Sequence, residues 1–217
     1  MNRTFTAILC WLVPVILSAP LLAQSLPNPL PQCGTEDLTP LQKRALVQQG
    51  NLALERKRAS GAAFNTIAYV PIRPHIFRRS DGTGGFTLAN LNQAMAITNN
   101  YYLLNGYGIQ FYFAGTTPDY IDNDRLLNNF LYDDESSVNG RDATNAMNQY
   151  YVNQIANNTV GGYAYYPENS IHSTRSFIAT YDNGQMNYVT NSTIPHELGH
   201  SFNLRRLSVF NLQIGYT

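Results

Sequence analysis

Charge is scarce in this chain and it cancels: 13% of the 217 residues are charged, with 14 Lys and Arg against 14 Asp and Glu. A polyanion-binding surface needs a basic excess, so nucleic acid is not an expected partner, and a highly charged disordered tail is excluded on the same ground. Cysteine is almost missing. Cys10 lies in a segment expected to be removed, which leaves Cys33 alone in the mature chain. There is no CxxC pair and no Cys/His cluster in the sequence, so a structural zinc module is excluded. The Cys33 thiol has three readings: free, paired between chains, or separated from a partner that this sequence does not contain. The glycines of Gly82, Gly84 and Gly85 belong to no GxxxxGK[ST] loop and no strand–GxGxxG–helix unit, so nucleotide phosphates are not indicated.

The one long apolar run, Ala7 to Leu22, is interrupted by Pro14 and Pro20 and is short for a membrane span. It follows the positive start Met1-Asn2-Arg3 and precedes Ala23, a small residue at a cleavage point. This is the pattern of a secretory signal over residues 1–23, and it predicts a secreted protein with no stable membrane insertion after cleavage. Residues 24–63 read as a leader, proline-rich at first (Pro27, Pro29, Pro31) and then helical from Pro40 to about Lys57.

What is present is apolar and aromatic: 44% hydrophobic residues and 12% aromatic, enough for one good core. Asn65 to Phe77 reads as a strand. Pro71 and Pro74 cannot donate ladder bonds there, which predicts an edge position or an early end. Thr87 caps a predicted helix over 88–104, with Leu91, Ala94, Met95, Ile97, Tyr101 and Leu104 toward the core. Ile109, Phe111 and Phe113 then alternate with less apolar residues as a half-buried strand. A helix between two strands predicts a right-handed crossover in a largely parallel sheet. Residues 115–146 read as loop, and the carboxylates Asp133-Asp134-Glu135 within them as a solvated patch with calcium as the alternative occupant. Further strands are expected from Met147, over Gly161–Pro167, and over Ile171–Tyr181.

The chain's chemistry is concentrated at Pro195-His196-Glu197-Leu198-Gly199-His200. On a helix, positions i and i+4 share a face, so His196 and His200 present imidazole nitrogens to one ion, most simply Zn2+. Glu197, roughly 100° further round, sits beside the open coordination position as a general base for a metal-bound water. Pro195 is acceptable in the first helical turn, where N–H groups have no partner. His75 reads as structural.

This order of elements, together with the segment GGYAYYP and the helix TIPHELGHSFNL, resembles the cytophagalysin–pappalysin branch of the metzincin zinc metalloproteases over about Thr66 to Leu204. The resemblance implies an α/β (α+β) fold: a metzincin-like N-terminal subdomain, in which a twisted, mostly parallel sheet with one antiparallel edge strand packs on two long helices, the second carrying HExxH. It implies a catalytic domain over 64–204, followed by an atypical tail over 205–217. It also implies zinc on His196 and His200, Glu197 as catalytic base, and a protein or peptide substrate paired along Gly161–Pro167 as an added strand.

The longer family pattern, HExxHxxGxxH, does not continue here. Asn203 stands at the turn, a residue that tolerates the left-handed conformation, and Arg206 at the third histidine; a guanidinium stays protonated and cannot ligate zinc. From Ser201 to Thr217 there is no His, Asp, Glu or Cys, and the supporting methionine turn is absent. His172 is the remaining candidate for a third ligand. Two functions follow as expectations. One is a secreted zinc endopeptidase in a truncated or damaged copy. The other is a non-catalytic extracellular binding domain that keeps the fold.

Overall fold

The computed structural model describes residues 32–61, 67–167 and 170–204. The expected signal over 1–23 and the tail over 205–217 lie outside them. Seven strands form one sheet: β1 (Gln32–Cys33), β2 (Ala68–Arg78), β3 (Ile109–Phe113), β4 (Asp119–Asp122), β5 (Met147–Val152), β6 (Val160–Ala164) and β7 (Arg175–Ala179). Their order is β1-β6-β7-β5-β2-β3, with β4 also on β2. All pairings are parallel except β6 with β7. The helices are α1 (Pro40–Ala59), α2 (Leu88–Leu104), α3 (Asp124–Asn128), α4 (Met186–Tyr188) and α5 (Ile194–Ser201), with a π turn over Val189–Thr193 joining the last two. The motif helix α5 therefore continues a helical run that opens at Met186. Among the described residues, no helix is long and apolar enough to cross a membrane.

Because side chains alternate across a strand, neighbouring residues of one strand feed opposite cores. Phe77, Tyr150 and Phe177 belong to one cluster, with Leu126, Leu127 and Phe130 from the connection over it. Ile76, Tyr151 and Ile178 belong to the other, against Leu91, Ala94 and Tyr102 of α2 and Ile194 and Leu198 of α5. The motif helix thus rests on the sheet through Ile194 and Leu198, which leaves His196 exposed on its other side. Helix α2 starts at Thr87, whose Oγ1 accepts from the Asn90 N–H at 3.2 Å. Its buried stripe is Leu91, Ala94, Thr98 and Tyr102; Leu104, expected in the core, is 74% exposed, since it stands about 200° round the helix from Tyr102.

The two prolines do not put β2 at an edge. In β2 the even residues face β3 and β4: Ala68 N–H donates to Gly108 O, Ile72 O accepts from Ala114 N–H, and Arg78 O accepts from Asn123 N–H. Pro74 falls between the end of β3, opposite Ile72, and the start of β4, opposite His75. Pro71 faces the other way, one residue before β5 begins opposite Ile72. Each missing donor meets a gap, so a central strand carries both. The same gap corrects the reading of 115–146 as loop alone, since β3 covers only the first half of β2 and Asp119–Asp122 takes the rest.

Beyond the apolar cores, the sheet is anchored by buried polar groups. His75 is fully buried, stacked on Tyr150, with Nδ1 2.9 Å from Asp119 Oδ2 and Nε2 3.0 Å from Asn148 Oδ1. Arg175, also fully buried, donates to Asp142 Oδ2 from Nε at 2.8 Å and Nη2 at 2.6 Å. His172 sits against this group, its Nδ1 3.2 Å from Arg175 Nη1 and 3.4 Å from Glu135 Oε2. The acidic patch is dispersed by the same packing: Glu135 turns in toward Tyr165 and His172, while Asp134 pairs with Arg125 at 2.6 Å.

Candidate metal centre

Helix α5 ends in a left-handed turn that fixes one of its imidazoles. Asn203 takes φ 62°, and its N–H donates to His200 O at 2.8 Å while the Leu204 N–H donates to Gly199 O at 2.9 Å. These are the paired bonds of a Schellman cap, with asparagine in the position that glycine usually fills. The turn brings Leu204 O to within 3.0 Å of His200 Nδ1. With Nδ1–H given to a carbonyl, neutral His200 keeps its lone pair on Nε2. That nitrogen lies 3.1 Å from Nε2 of His196, one turn earlier. His200 is buried, with the Tyr166 ring edge-on at 5.2 Å, and Glu197 is buried beside it.

Glycine makes room for this helix against the sheet. A Cβ on Gly162 of β6 would stand 2.9 Å from Glu197 Cγ, 2.8 Å from Thr193 Cγ2 and 3.0 Å from Phe177 O. Gly162 is therefore the seat of α5 as well as part of a strand.

The leader completes the cluster. Strand β1 runs along β6, with Gln32 N–H on Thr159 O at 3.1 Å and Gly34 N–H on Gly162 O at 2.8 Å. It occupies the edge where the sequence places a substrate strand. Thr35 Oγ1 accepts from Ala164 N–H at 3.0 Å and donates to Glu197 Oε2 at 3.1 Å. A Cβ on Gly34 would run into the Tyr132 hydroxyl and stand 2.7 Å from Val160 Cγ1, so the chain passes there only as glycine. Half-buried Cys33 then places Sγ 3.4 Å from His200 Nε2 and 3.9 Å from Glu197 Oε2. The thiol is free of any disulfide. Burial pushes it up from its ordinary pKa, and the charge of Glu197 adds to that. Tyr132 and Tyr188 feel the same charges: burial first raises both, Cys33 and then Glu197 add to it at Tyr132, and at Tyr188 a Thr193 hydrogen bond opposes it while Glu197 and Cys33 add.

Cys33, His196, Glu197 and His200 each offer a ligand atom, all within 4.8 Å of one another. A tetrahedral zinc with ordinary bond lengths separates two nitrogen ligands by about 3.3 Å, and sulfur from nitrogen by about 3.6 Å. The spacings of 3.1 and 3.4 Å fit that geometry. Among the described residues this is the one such group; the carboxylates of 133–135 and His172 stand outside it. Sequence reasoning brought His196, Glu197 and His200 together and missed Cys33 and Thr35. The available signal was a lone cysteine followed by glycine, upstream of a site short of one ligand.

A profile of the metallo-peptidase family M12B, reprolysin-like, matches residues 86–205. No curated protein matches the chain.

Proposed function

Because the chain belongs to the reprolysin-like metallopeptidases of family M12B, we propose that it is a secreted zinc-dependent endopeptidase, hydrolysing peptide bonds through a metal-activated water, in an impaired copy. Kinship with the cytophagalysin–pappalysin branch is part of this reading. The observation that carries it is the convergence of His196 and His200 Nε2 at 3.1 Å, with His200 oriented by Leu204 O and Glu197 buried alongside.

His196 and His200 would hold the zinc, which when bound supplies an acidified water and polarises a carbonyl oxygen. Glu197 takes the proton from the attacking water on its carboxylate and delivers it to the departing amide nitrogen, so one buried residue serves both steps. Main-chain groups of β6 hold the peptide extended across the site. In the observed state the leader sits on that edge and Thr35 donates to Glu197, so both the edge and the base are engaged. The same two observations, together with Arg206 at the third-histidine position, favour a second reading, a non-catalytic extracellular binding domain that retains the fold.

The experiment is hydrolysis of an unfolded protein substrate by zinc-loaded chain, wild type against Glu197→Ala. The endopeptidase reading, in an impaired copy, expects weak but measurable activity in the wild type and its loss in the variant, at unchanged zinc content. A zinc-loaded wild type that cleaves nothing selects the second reading.

A further inference from the structure

We infer that Glu135 is a positioning residue of the metal centre: it fastens the connection between β6 and β7 so that Tyr166 is held against His200. The inference rests on the reading of His200 as a metal ligand and goes beyond it, since Glu135 stands outside the group of ligand atoms. Two consecutive residues of that connection face two different partners. Tyr166 sets its ring edge-on to His200, with centroids 5.2 Å apart. Tyr165 donates its hydroxyl to Glu135 Oε1. One planar peptide unit joins the two, so fixing Tyr165 limits where Tyr166 can lie.

The surroundings of Glu135 are those of a tether. Its side chain is 10% exposed, and a carboxylate taken out of water is costly unless partners hold it there. Arg175 does not call for it: Asp142 already accepts from Arg175 Nε and Nη2 at 2.8 and 2.6 Å, while Nη1 stands 3.9 Å from Glu135 Oε2. Its nearer neighbours belong to the connection. His172 brings Nδ1 to 3.4 Å from Glu135 Oε2 and packs its ring on Tyr165 at 5.5 Å. Burial first, and then the hydrogen bond and charge of Glu135, push the Tyr165 phenol up, so it keeps the proton that it donates. Between Ala164 and Arg175 the described chain has one short helical turn, Ile171–Thr174, and no strand, so main-chain pairing does little to hold Tyr165 and Tyr166. Without Glu135 the Tyr165 hydroxyl is released, Tyr166 leaves His200, and water reaches an imidazole that is now buried. The shell around a ligand controls solvent access and local dielectric, and metal affinity with them. A carboxylate that served the fold alone would change stability and leave the Tyr166 ring where it is.

The test uses the full chain with meta-fluorotyrosine in place of Tyr166 alone, read by fluorine NMR with and without a soluble gadolinium chelate. Zn2+ affinity is measured beside it by competition against a chelator. The wild type is expected to give a signal protected from the gadolinium. Glu135→Ala and Tyr165→Phe should both move that signal toward its position in the urea-unfolded chain, expose it to the gadolinium, and weaken zinc binding by on the order of tenfold. Glu135→Gln keeps an oxygen acceptor for the Tyr165 hydroxyl and should restore the wild-type signal and most of the affinity. Thermal melts of the metal-free proteins check the fold, and Tyr165→Phe, which deletes a single oxygen atom, carries the test if Glu135→Ala does not fold. An unmoved signal or an undiminished zinc affinity in Tyr165→Phe overturns the inference. A wild type without measurable zinc affinity overturns instead the underlying reading of the helix as a metal site.

Discussion

Gly162 of β6 and Glu197 of α5 are in direct contact, and a Cβ on the glycine would stand 2.9 Å from Glu197 Cγ. The strand and the motif helix are therefore seated on each other through the absence of a side chain. Gly162→Ala should destabilise the fold by about 1–3 kcal/mol, because Thr193 Cγ2 and Phe177 O close the other sides of the same space and none of the three neighbours is a flexible chain end. Gly50 is the control. It lies in α1 with nothing within 4 Å of its would-be Cβ, so Gly50→Ala should raise helix content and leave the unfolding midpoint of the sheet unchanged. Urea unfolding followed by tyrosine fluorescence and far-ultraviolet circular dichroism separates the two effects.

The cap of α5 ties fold to metal chemistry through one dihedral angle. Asn203 at φ 62° closes the turn that aims Leu204 O at His200 Nδ1. Asn203→Gly should be neutral or slightly stabilising. Asn203→Val places a β-branched residue in the left-handed region and should cost about 1–2 kcal/mol. It should also weaken zinc binding, since a His200 ring released from its carbonyl no longer keeps Nε2 on the metal side. Unchanged zinc affinity in a folded Asn203→Val protein would show that Leu204 O does not orient the imidazole.

The helix carrying the motif was legible in the sequence because its chemistry is local: two histidines one turn apart need only helix periodicity to converge. Strands β2, β3 and β5 and the capped helix α2 were legible for the same reason, since alternation and a threonine cap are short-range signals. What escaped is long-range. Prolines 71 and 74 argue for an edge only if neighbouring strands are continuous, and the break between β3 and β4 follows from pairing rather than from the residues of β2 themselves. Cys33 had no histidine near it in sequence. Its place beside His200 depends on which edge strand the leader pairs with, information carried by Gly34 and Gly162 and the shapes that surround them. The patch 133–135 reads as one acidic cluster in sequence, yet Arg125 draws out Asp134 while Glu135 turns toward Tyr165, because each finds its partner outside the run.

The Arg125–Asp134 pair gives a pH signature. Arg125 donates from Nη1 and Nη2 to the two carboxylate oxygens at 2.9 and 2.6 Å, and the Leu131 N–H adds a third bond at 2.9 Å. Chiefly through the Arg125 hydrogen bonds, and against partial burial, the Asp134 carboxyl lies below its usual value of 3.8. A carboxylate depressed in the folded state contributes stability above its unfolded value and loses it as pH falls through the folded one. Arg125→Met should therefore be less stable than wild type at neutral pH, by a small margin because the arginine is mostly exposed. The margin should shrink in high salt and close as pH drops below 3.8. A difference that persists undiminished in strong acid would assign the effect to packing instead.

The leader joins the sheet through a helix that trypsin should find first. Helix α1 is exposed along its length, with Leu41 at 76% and Leu52 at 45%, and its last turn carries Arg56, Lys57 and Arg58 before the Ser60 cap and Gly61 at φ 63°. Three basic residues on a fraying helix end meet the protease's needs for charge and for a chain that opens locally. Arg78 and Arg175 are tied to Asp122 and Asp142 inside the sheet and should resist. Cutting at 56–58 severs the covalent link between the leader and the domain, yet the leader still holds β6 through its strand bonds and Glu197 through Thr35. The nicked protein should run as one species in gel filtration, and mild denaturant should release the leader peptide. If the nicked protein sheds its leader at once, the β1–β6 pairing and the Thr35–Glu197 bond do not hold the leader without the covalent link.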